Sequence, residues 1–557
     1  MKRNYIYHFV ALLLGGILLG ACDQQSPREE ALNKGDTTTS MRFEVRVAAE
    51  GTPRAIAQED EPGTDGEQSV SSMTVLFNNL PPRTFTRLTA ENSIVSTPVF
   101  EVDGREAAKV RRFSTLLNAS GLSLTQSDFN KQKVVSLSDF DQLVNTTATD
   151  GKFKDFLMTA TAEDADNYKI TIAPDVKENE VGQTPEKKNL FQLSVERVLS
   201  KVQVHKAATV ELKGEVAAEK GTLKVDELKY ALAGSAKKAY LFRDFASESS
   251  KMIDDTTNLN HAMYQGETLI HREEVPADWK GTSPHPFLQR VSDQMQGGAK
   301  INFAVKNVEV ATSSGSTTNG IYFLENSTSK KITGRGQLEY NRIAYVKVYG
   351  TFVPAKALYY NRTARKFEEV TDLSARRYKF TVTREVYNQL VSELGGEEDL
   401  KDPADIWATW ATGETYPTLN VKDPAGTFYL GLKDHKIYKT LLAALKSGNG
   451  YNIRRYVGGK MVWLNPVNAQ LVSEPNNTFV KNANTRRNNI YNLTIKGISG
   501  FGLPFDPVDP EDPNIPQPEN PYQPIPDSHI KVDPLNSRIL IQTSVLKWNY
   551  QELNYTF

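Results

Sequence analysis

The chemistry-bearing side chains of this 557-residue chain are seven histidines, one cysteine and 67 carboxylates, and their spacing assembles none of the familiar catalytic sets. His8, His205, His261, His271, His285, His435 and His529 are scattered, with no HExxH and no other metal-ligand spacing. Cys22 has no second cysteine with which to form a disulfide or clamp a metal. "LAGSAKK" falls short of GxSxG, and no GxxxxGK[ST] loop is present to cradle phosphates. "DPVDPEDP" alternates with proline and lacks EF-hand spacing, so it reads as a solvated linker rather than a calcium site. Acid–base catalysis needs two carboxylates held in one cleft, and nothing in the string pairs them. The expectation is a protein that is not an enzyme and takes no metal and no cofactor. Lys and Arg total 66 against 67 for Asp and Glu, so no large field gathers nucleic acid, and nucleic acid is not an expected partner.

The reactivity of Cys22 is set by what precedes it. Lys2 and Arg3 lead into "YIYHFVALLLGGILLGA", an apolar run of signal-peptide length. "LLGAC", Leu18 to Cys22, resembles a bacterial lipobox, in which the cysteine sulfur is lipidated and the cysteine becomes the new N-terminus. Residues 1–21 are then a lipoprotein signal peptide. Buried acyl methylenes contribute about 0.8 kcal/mol each, enough for two or three chains to hold the precursor on a membrane. Asp23 follows directly, a residue that favours inner-membrane retention in some bacteria.

A second reactive point is the peptide bond Arg54–Ala55 in "TPRA", set in a polar loop rich in Gly, Pro, Asp and Glu where proteases cut readily. Upstream, Met41, Phe43, Val45 and Val47 alternate with charged residues, the period-two pattern of a half-buried strand. Arg42 and Arg46 lie inside that strand, so Arg54 is the better site. Cleavage there removes the strand together with the lipid, which makes residues 22–54 a propeptide.

The elements that follow are strand-like, from "SMTVLFNNL" through "NLFQLSVERVLSKVQVH" to "NNIYNLTIKGISG", separated by Gly, Pro, Asn and Asp clusters, an all-β pattern of the sandwich kind. "SLSDFDQLVN" and "DHKIYKTLLAALKSG" are the best short helices, the second closed by Gly448. The polar stretch 207–221 suggests a boundary between domains at 55–212 and 213–503. Residues 504–537 form a proline-rich linker that fits neither a helix nor an inner strand. In extended form its stretch from Pro504 to Pro526 could reach on the order of 70 Å, so the final segment, 538–557, can act outside its own molecule.

That segment alternates Ile539, Ile541 and Val545 around Thr543, then shifts its apolar face through Leu546 and Trp548, and again through Leu553, Tyr555 and Phe557. It could fill the groove left by the strand at Met41–Val47 in another copy, a form of strand addition. Folding back onto its own domain is the alternative. Trp407, Trp410 and Trp463 suit either sugar stacking or a sandwich core.

"VWLNP" at Val462–Pro466, "RRNNIYNLTIKGISGFGLPFDPVDPEDPN" at Arg486–Asn514 and the ending with Trp548, Asn554, Tyr555 and Phe557 resemble the fimbrilins of Bacteroidetes type V pili. The likeness is closest to the shaft subunits of minor fimbriae of the Porphyromonas kind. Weaker echoes include "VERVLSKVQV", "YVKVYGTFVPA" and "FYLGL". The resemblance implies two transthyretin-like β-sandwich domains, export as a lipoprotein through Cys22, and cutting after Arg54 by an arginine-specific, trypsin-like protease. It further implies that the donor strand at about 538–557 replaces Met41–Val47 in the next subunit. Implied partners are copies of the chain, fimbrial anchor and tip or accessory subunits, and host or bacterial surface ligands. The implied location is a fimbrium on the cell surface, its precursor lipid-anchored at the outer membrane, with roles in adhesion and biofilm formation. A tip or accessory adhesin and, from another class, a glycan-binding surface lipoprotein are the competing readings.

Overall fold

The computed structural model describes residues 38–47, 60–62, 67, 69–91, 94–110, 113–126, 134–136, 143–146, 153–160, 172–183, 188–233, 235–236, 238–241, 288–289, 308–309, 311–312, 320–325, 344–388, 406–413, 415–449, 453–474, 477–483, 485–504 and 538–549. Strands dominate from the start. The first half contributes β1 (Thr38–Val47), β2 (Asp60–Pro62), β3 (Met73–Phe77), β4 (Ile94–Ser96), β5 (Phe100–Asp103), β6 (Phe113–Leu117), β7 (Met158–Ala160) and β8 (Leu190–Arg197). With two further short strands they form a nine-stranded sheet in the order Arg83–Phe85, β3, β6, β7, β8, β1, β4 and Thr89–Glu91, with β5 also bonded to β1; β2 lies elsewhere. The first strand among the described residues therefore sits inside the sheet.

The second half contributes β9 (Leu199–Leu212), β10 (Ile321–Leu324), β11 (Tyr345–Pro354), β12 (Arg376–Thr381), β13 (Ile406–Thr409), β14 (Thr418–Asp423), α1 (Leu441–Lys446), β15 (Lys460–Pro466), β16 (Asn489–Ile498) and β17 (Ile539–Asn549). One six-stranded sheet runs β2, β17, β16, β9 and Ala311–Thr312, with β10 also on β9. A second six-stranded sheet is built around β11 and β15. Val202, Leu493 and Ile495 from the first share one core with Leu232, Val348 and Trp463 from the second, the consequence of apolar residues at alternate positions on each strand. The protein is all-β.

Between β11 and β15 the chain makes a further excursion with a core of its own, in which Phe380, Leu419, Val421, Tyr429 and Tyr438 pack with Leu441 of α1. That helix covers only the second half of "DHKIYKTLLAALKSG"; in the first half Ile437 and Tyr438 form a short strand paired with Leu430 and Tyr429, so cross-strand pairing overrides the helical spacing there. Thr440 caps its start by accepting from the Ala443 N–H at 3.2 Å, and Gly448 just beyond its end takes φ +86°, a conformation that favours glycine. In "SLSDFDQLVN" the flanks are strand, Val134–Ser136 and Asn145–Thr146, and residues 137–142 lie outside the described set.

The polar stretch at 207–221 does not coincide with a change of sheet. β9 stays paired with β16 through Leu212, which faces Ile498, and the passage from one sheet to the next occurs at Val198, fully buried between β8 and β9. Composition could not reveal that junction, because a buried turn of direction is apolar like the strands beside it.

Charged residues are buried across that junction. Glu67 is 1% exposed; its carboxylate accepts from Lys201 Nζ at 2.9 Å and from the Tyr322 hydroxyl, and its carbonyl accepts from Arg197 Nε at 3.0 Å. Burial, followed by the neighbouring Glu67 carboxylate, pushes the Tyr322 phenol well above its ordinary range. Arg487 donates to Glu325 and to the Leu241 carbonyl with neither side chain of the ion pair exposed. Pairs like these are costly to break because the remaining charge has no water. The Glu67 contacts pin the segment that follows β2 to β9 and β10.

Candidate functional site

The strand β1 can be described as an occupant and the rest of its sheet as a socket. Along one edge it runs parallel to β8, from Arg42 opposite Leu190 to Val47 opposite Val195. Along the other it is antiparallel to β5 over Thr38–Met41 and to β4 over Glu44–Arg46. Both rows of its backbone groups are thus engaged, and removing it would leave two rows of donors and acceptors facing an empty lane.

The side chains tell the same story. Met41, Phe43 and Val45 are 0% exposed, so the alternation seen in the sequence reports one buried face. The ring of Phe43 lies 5.0 Å from that of Phe113, 5.1 Å from Phe191, 5.9 Å from Phe77 and 6.1 Å from Phe100, measured between centroids. Edge and stacked contacts of this kind add to the gain from burial. At about 1.5 to 3 kcal/mol per large side chain, the three residues bring on the order of 7 kcal/mol of gross stabilisation.

Polar clips fix the register of β1. Asn189, itself at φ +50°, donates from Nδ2 to Thr39 Oγ1 and to the Ser40 carbonyl, both at 3.0 Å. Thr39 Oγ1 donates to the Ala173 carbonyl at 2.7 Å. Thr97 both accepts from the Phe43 N–H at 3.1 Å and donates its own N–H to the Phe43 carbonyl. Sequence reasoning missed Asn189 and Thr97; a lone Asn before a strand is the signal for the first, and nothing local marks the second.

The final segment occupies a different place. β17 is antiparallel to β16, with Ile539 opposite Ile498, Ile541 opposite Ile495 and Leu546 opposite Ile490, and a register shift between Ile495 and Gly497. Among the described residues its other edge carries only β2, over Asp60 to Pro62 against Lys547 to Asn549. Ile539 is buried, Ile541 and Leu546 are partly buried against the core, and Leu540 is 64% exposed. In the monomer the strand lies on its own second half, the alternative left open by the sequence.

The start of β17 is anchored. Arg538, at φ +58°, accepts from the Ser499 N–H at 2.8 Å through its carbonyl, and its guanidinium donates to Glu215. Glu215 also accepts from the Phe501 N–H at 2.9 Å and lies 3.4 Å from His435 Nδ1. These residues border an open cavity of about 410 Å³.

Of the residues singled out in the sequence, Cys22, Arg54, Ala55, Leu553, Tyr555 and Phe557 lie outside the described residues. The backbones of Val47, Val545 and Trp548 lie in strands, and the structure does not bring the two candidate strands together: β1 and β17 belong to different sheets. Trp463 is a core residue, 1% exposed, donating from Nε1 to the Gly500 carbonyl at 3.0 Å. Trp410 is 45% exposed, its ring met edge-on by Tyr387 at 5.5 Å. Among the described residues no three His, Cys, Asp or Glu are grouped to hold a metal, and no helix is long and apolar enough to cross a membrane.

No protein-family model and no curated protein sequence matches the chain. Among solved structures it is similar to a Parabacteroides distasonis protein provisionally assigned to cell adhesion, at 11% identity and a TM-score of 0.38, over 93% of this chain and 99% of that one. It is similar to a fimbrilin from Porphyromonas gingivalis at 12% identity and a TM-score of 0.38, again over 93% and 99%. A fimbrial assembly protein from Parabacteroides distasonis matches at 7% identity and a TM-score of 0.20, over 60% of this chain and 100% of that one. At these TM-scores the functional reading has to rest on the strands themselves.

Proposed function

We propose that this chain is a structural subunit of a bacterial surface fimbria, made as a lipoprotein on Cys22, cut at Arg54–Ala55 and polymerised by strand exchange. The observation that carries the reading is the position of β1. A strand from the extreme N-terminal part of the chain fills an interior lane of a sheet, bonded on both edges, and is followed by a segment with an arginine in a Gly/Pro-rich context. Cutting that segment severs the covalent tie of β1 to the body while Glu67 holds the downstream chain in place.

The lane left by β1 is filled by the segment 538–557 of a second copy, carried across by the proline-rich stretch 504–537. At home β17 is covered along one side by β16 and on the other, among the described residues, by the three residues of β2, so leaving costs it contacts chiefly along one neighbour, whereas the lane offers neighbours on both sides. The exchange runs downhill for this reason. Partners on this reading are further copies, anchor and tip subunits, and an arginine-specific protease; adhesion and biofilm formation follow from the assembled surface.

The test uses residues 23–557 treated with a trypsin-like protease, with N-terminal sequencing of the product and SDS-resistant laddering as the size readout. A start at Ala55 with a ladder supports a shaft subunit. Arg54→Ala is expected to remain a folded monomer, and a chain lacking 538–557 to be cut without polymerising. Polymer from either variant would sink the scheme, and a start at Ala55 with monomer alone would move the chain to the tip or accessory role.

A further inference from the structure

The outer face of the sheet β12–β14–β13 groups basic and aromatic side chains. Phe380, Leu419, Val421 and Ile406 point from these strands into the core, so residues of the opposite parity share the solvent side. On that side Arg377 stands directly across from Lys422, and one step along the strand Lys379 is followed by Asn420 and then Trp407 in a single cross-strand row.

Two features of this grid suit an anionic ligand. Like charges directly opposite one another on a sheet destabilise the pair, yet Arg377 and Lys422 occupy such positions. Among the described residues neither they nor Lys379 have an anionic side chain within ion-pair distance. Trp407 keeps part of a large ring in water beside them. The Asn420 amide is pinned next to that ring, donating to Thr409 Oγ1 at 3.1 Å and to the Trp407 carbonyl at 3.4 Å.

We infer that this face binds an anionic polysaccharide. Three cations meet carboxylate or sulfate groups, the indole takes the apolar face of a sugar ring, and the pinned amide meets a hydroxyl. The rows lie about 6.7 Å apart along a strand and the strands about 4.8 Å apart, a flat array that suits a chain lying across it rather than a single sugar in a pocket. Duplex DNA or an acidic protein would use the cations and leave Trp407 without a role, so the combination selects the sugar polymer. The site stands apart from the strand-exchange lane and does not depend on polymerisation.

The test is calorimetry on the full uncleaved chain with three probes: a heparin-derived oligosaccharide, neutral dextran of matched length and duplex DNA. The sulfated oligosaccharide should bind, more weakly as salt rises, and dextran should not. Lys379→Glu, an exposed change that keeps the fold, should weaken binding by about tenfold or more, and Trp407→Ala by several-fold, with circular dichroism melts checking both variants. No binding by the parent chain overturns the proposal. So does unchanged binding in both variants, which would put the site elsewhere, or DNA binding as tightly with no effect of Trp407→Ala, which would reduce the face to bare electrostatics.

Discussion

β1 and β17 are both amphipathic strands near the ends of the chain, and the fold treats them oppositely. β1 lies inside a sheet with neighbours on both edges, its three apolar side chains fully buried and one of them ringed by four phenylalanines. β17 rests on one long neighbour and one three-residue strand, with Ile539 buried and Leu540 in water. β1 is therefore the better bound of the two. On the proposed reading that difference gives proteolysis its role: a lane this well filled does not open by itself, and its depth would make it a strong acceptor once emptied.

The largest effect should come from the centre of the socket. Phe43→Ala removes a fully buried ring and leaves a cavity among Phe77, Phe113 and Phe191, so the uncleaved chain should lose about 3 to 5 kcal/mol in a urea titration that follows the first half. A loss below about 1 kcal/mol would mean that β1 is not the keystone proposed.

Ile539→Ala tests the other side. Its side chain is buried, but at the start of an edge strand whose surroundings can relax, so about 2 kcal/mol is expected, felt in the second half only. If it destabilised the chain as much as Phe43→Ala, the contrast between the strands would fail. The smallest effect belongs to Leu540→Ser, within about 0.5 kcal/mol, because the residue is already 64% exposed. Its value lies in the polymer. Should laddering after cleavage survive Leu540→Ser but not Ile541→Ser, the donor inserts the face that it already buries at home; the reverse result would assign the opposite face.

Much of this was legible in the string of residues because it depends on local pattern. Met41, Phe43 and Val45 announced a buried face through alternation, and the second half of "DHKIYKTLLAALKSG" announced a helix with a Gly448 stop, since both periods are properties of the backbone alone. What stayed hidden depends on partners distant in sequence. The interior position of β1 is set by β8 some 150 residues later, and its polar clips come from Thr97 and Asn189. The buried groups at Glu67, Arg197 and Lys201 look like surface charges until Tyr322 and the junction at Val198 close over them.

The sequence by itself determined that strands dominate and which faces of the best-patterned ones are apolar. These follow from side-chain period, which needs no neighbour. Only the tertiary structure decided that the first strand lies in the middle of a sheet and the last at a weakly covered edge. Strand order is fixed by hydrogen-bond pairing and core packing summed over distant segments, and no local pattern encodes that sum.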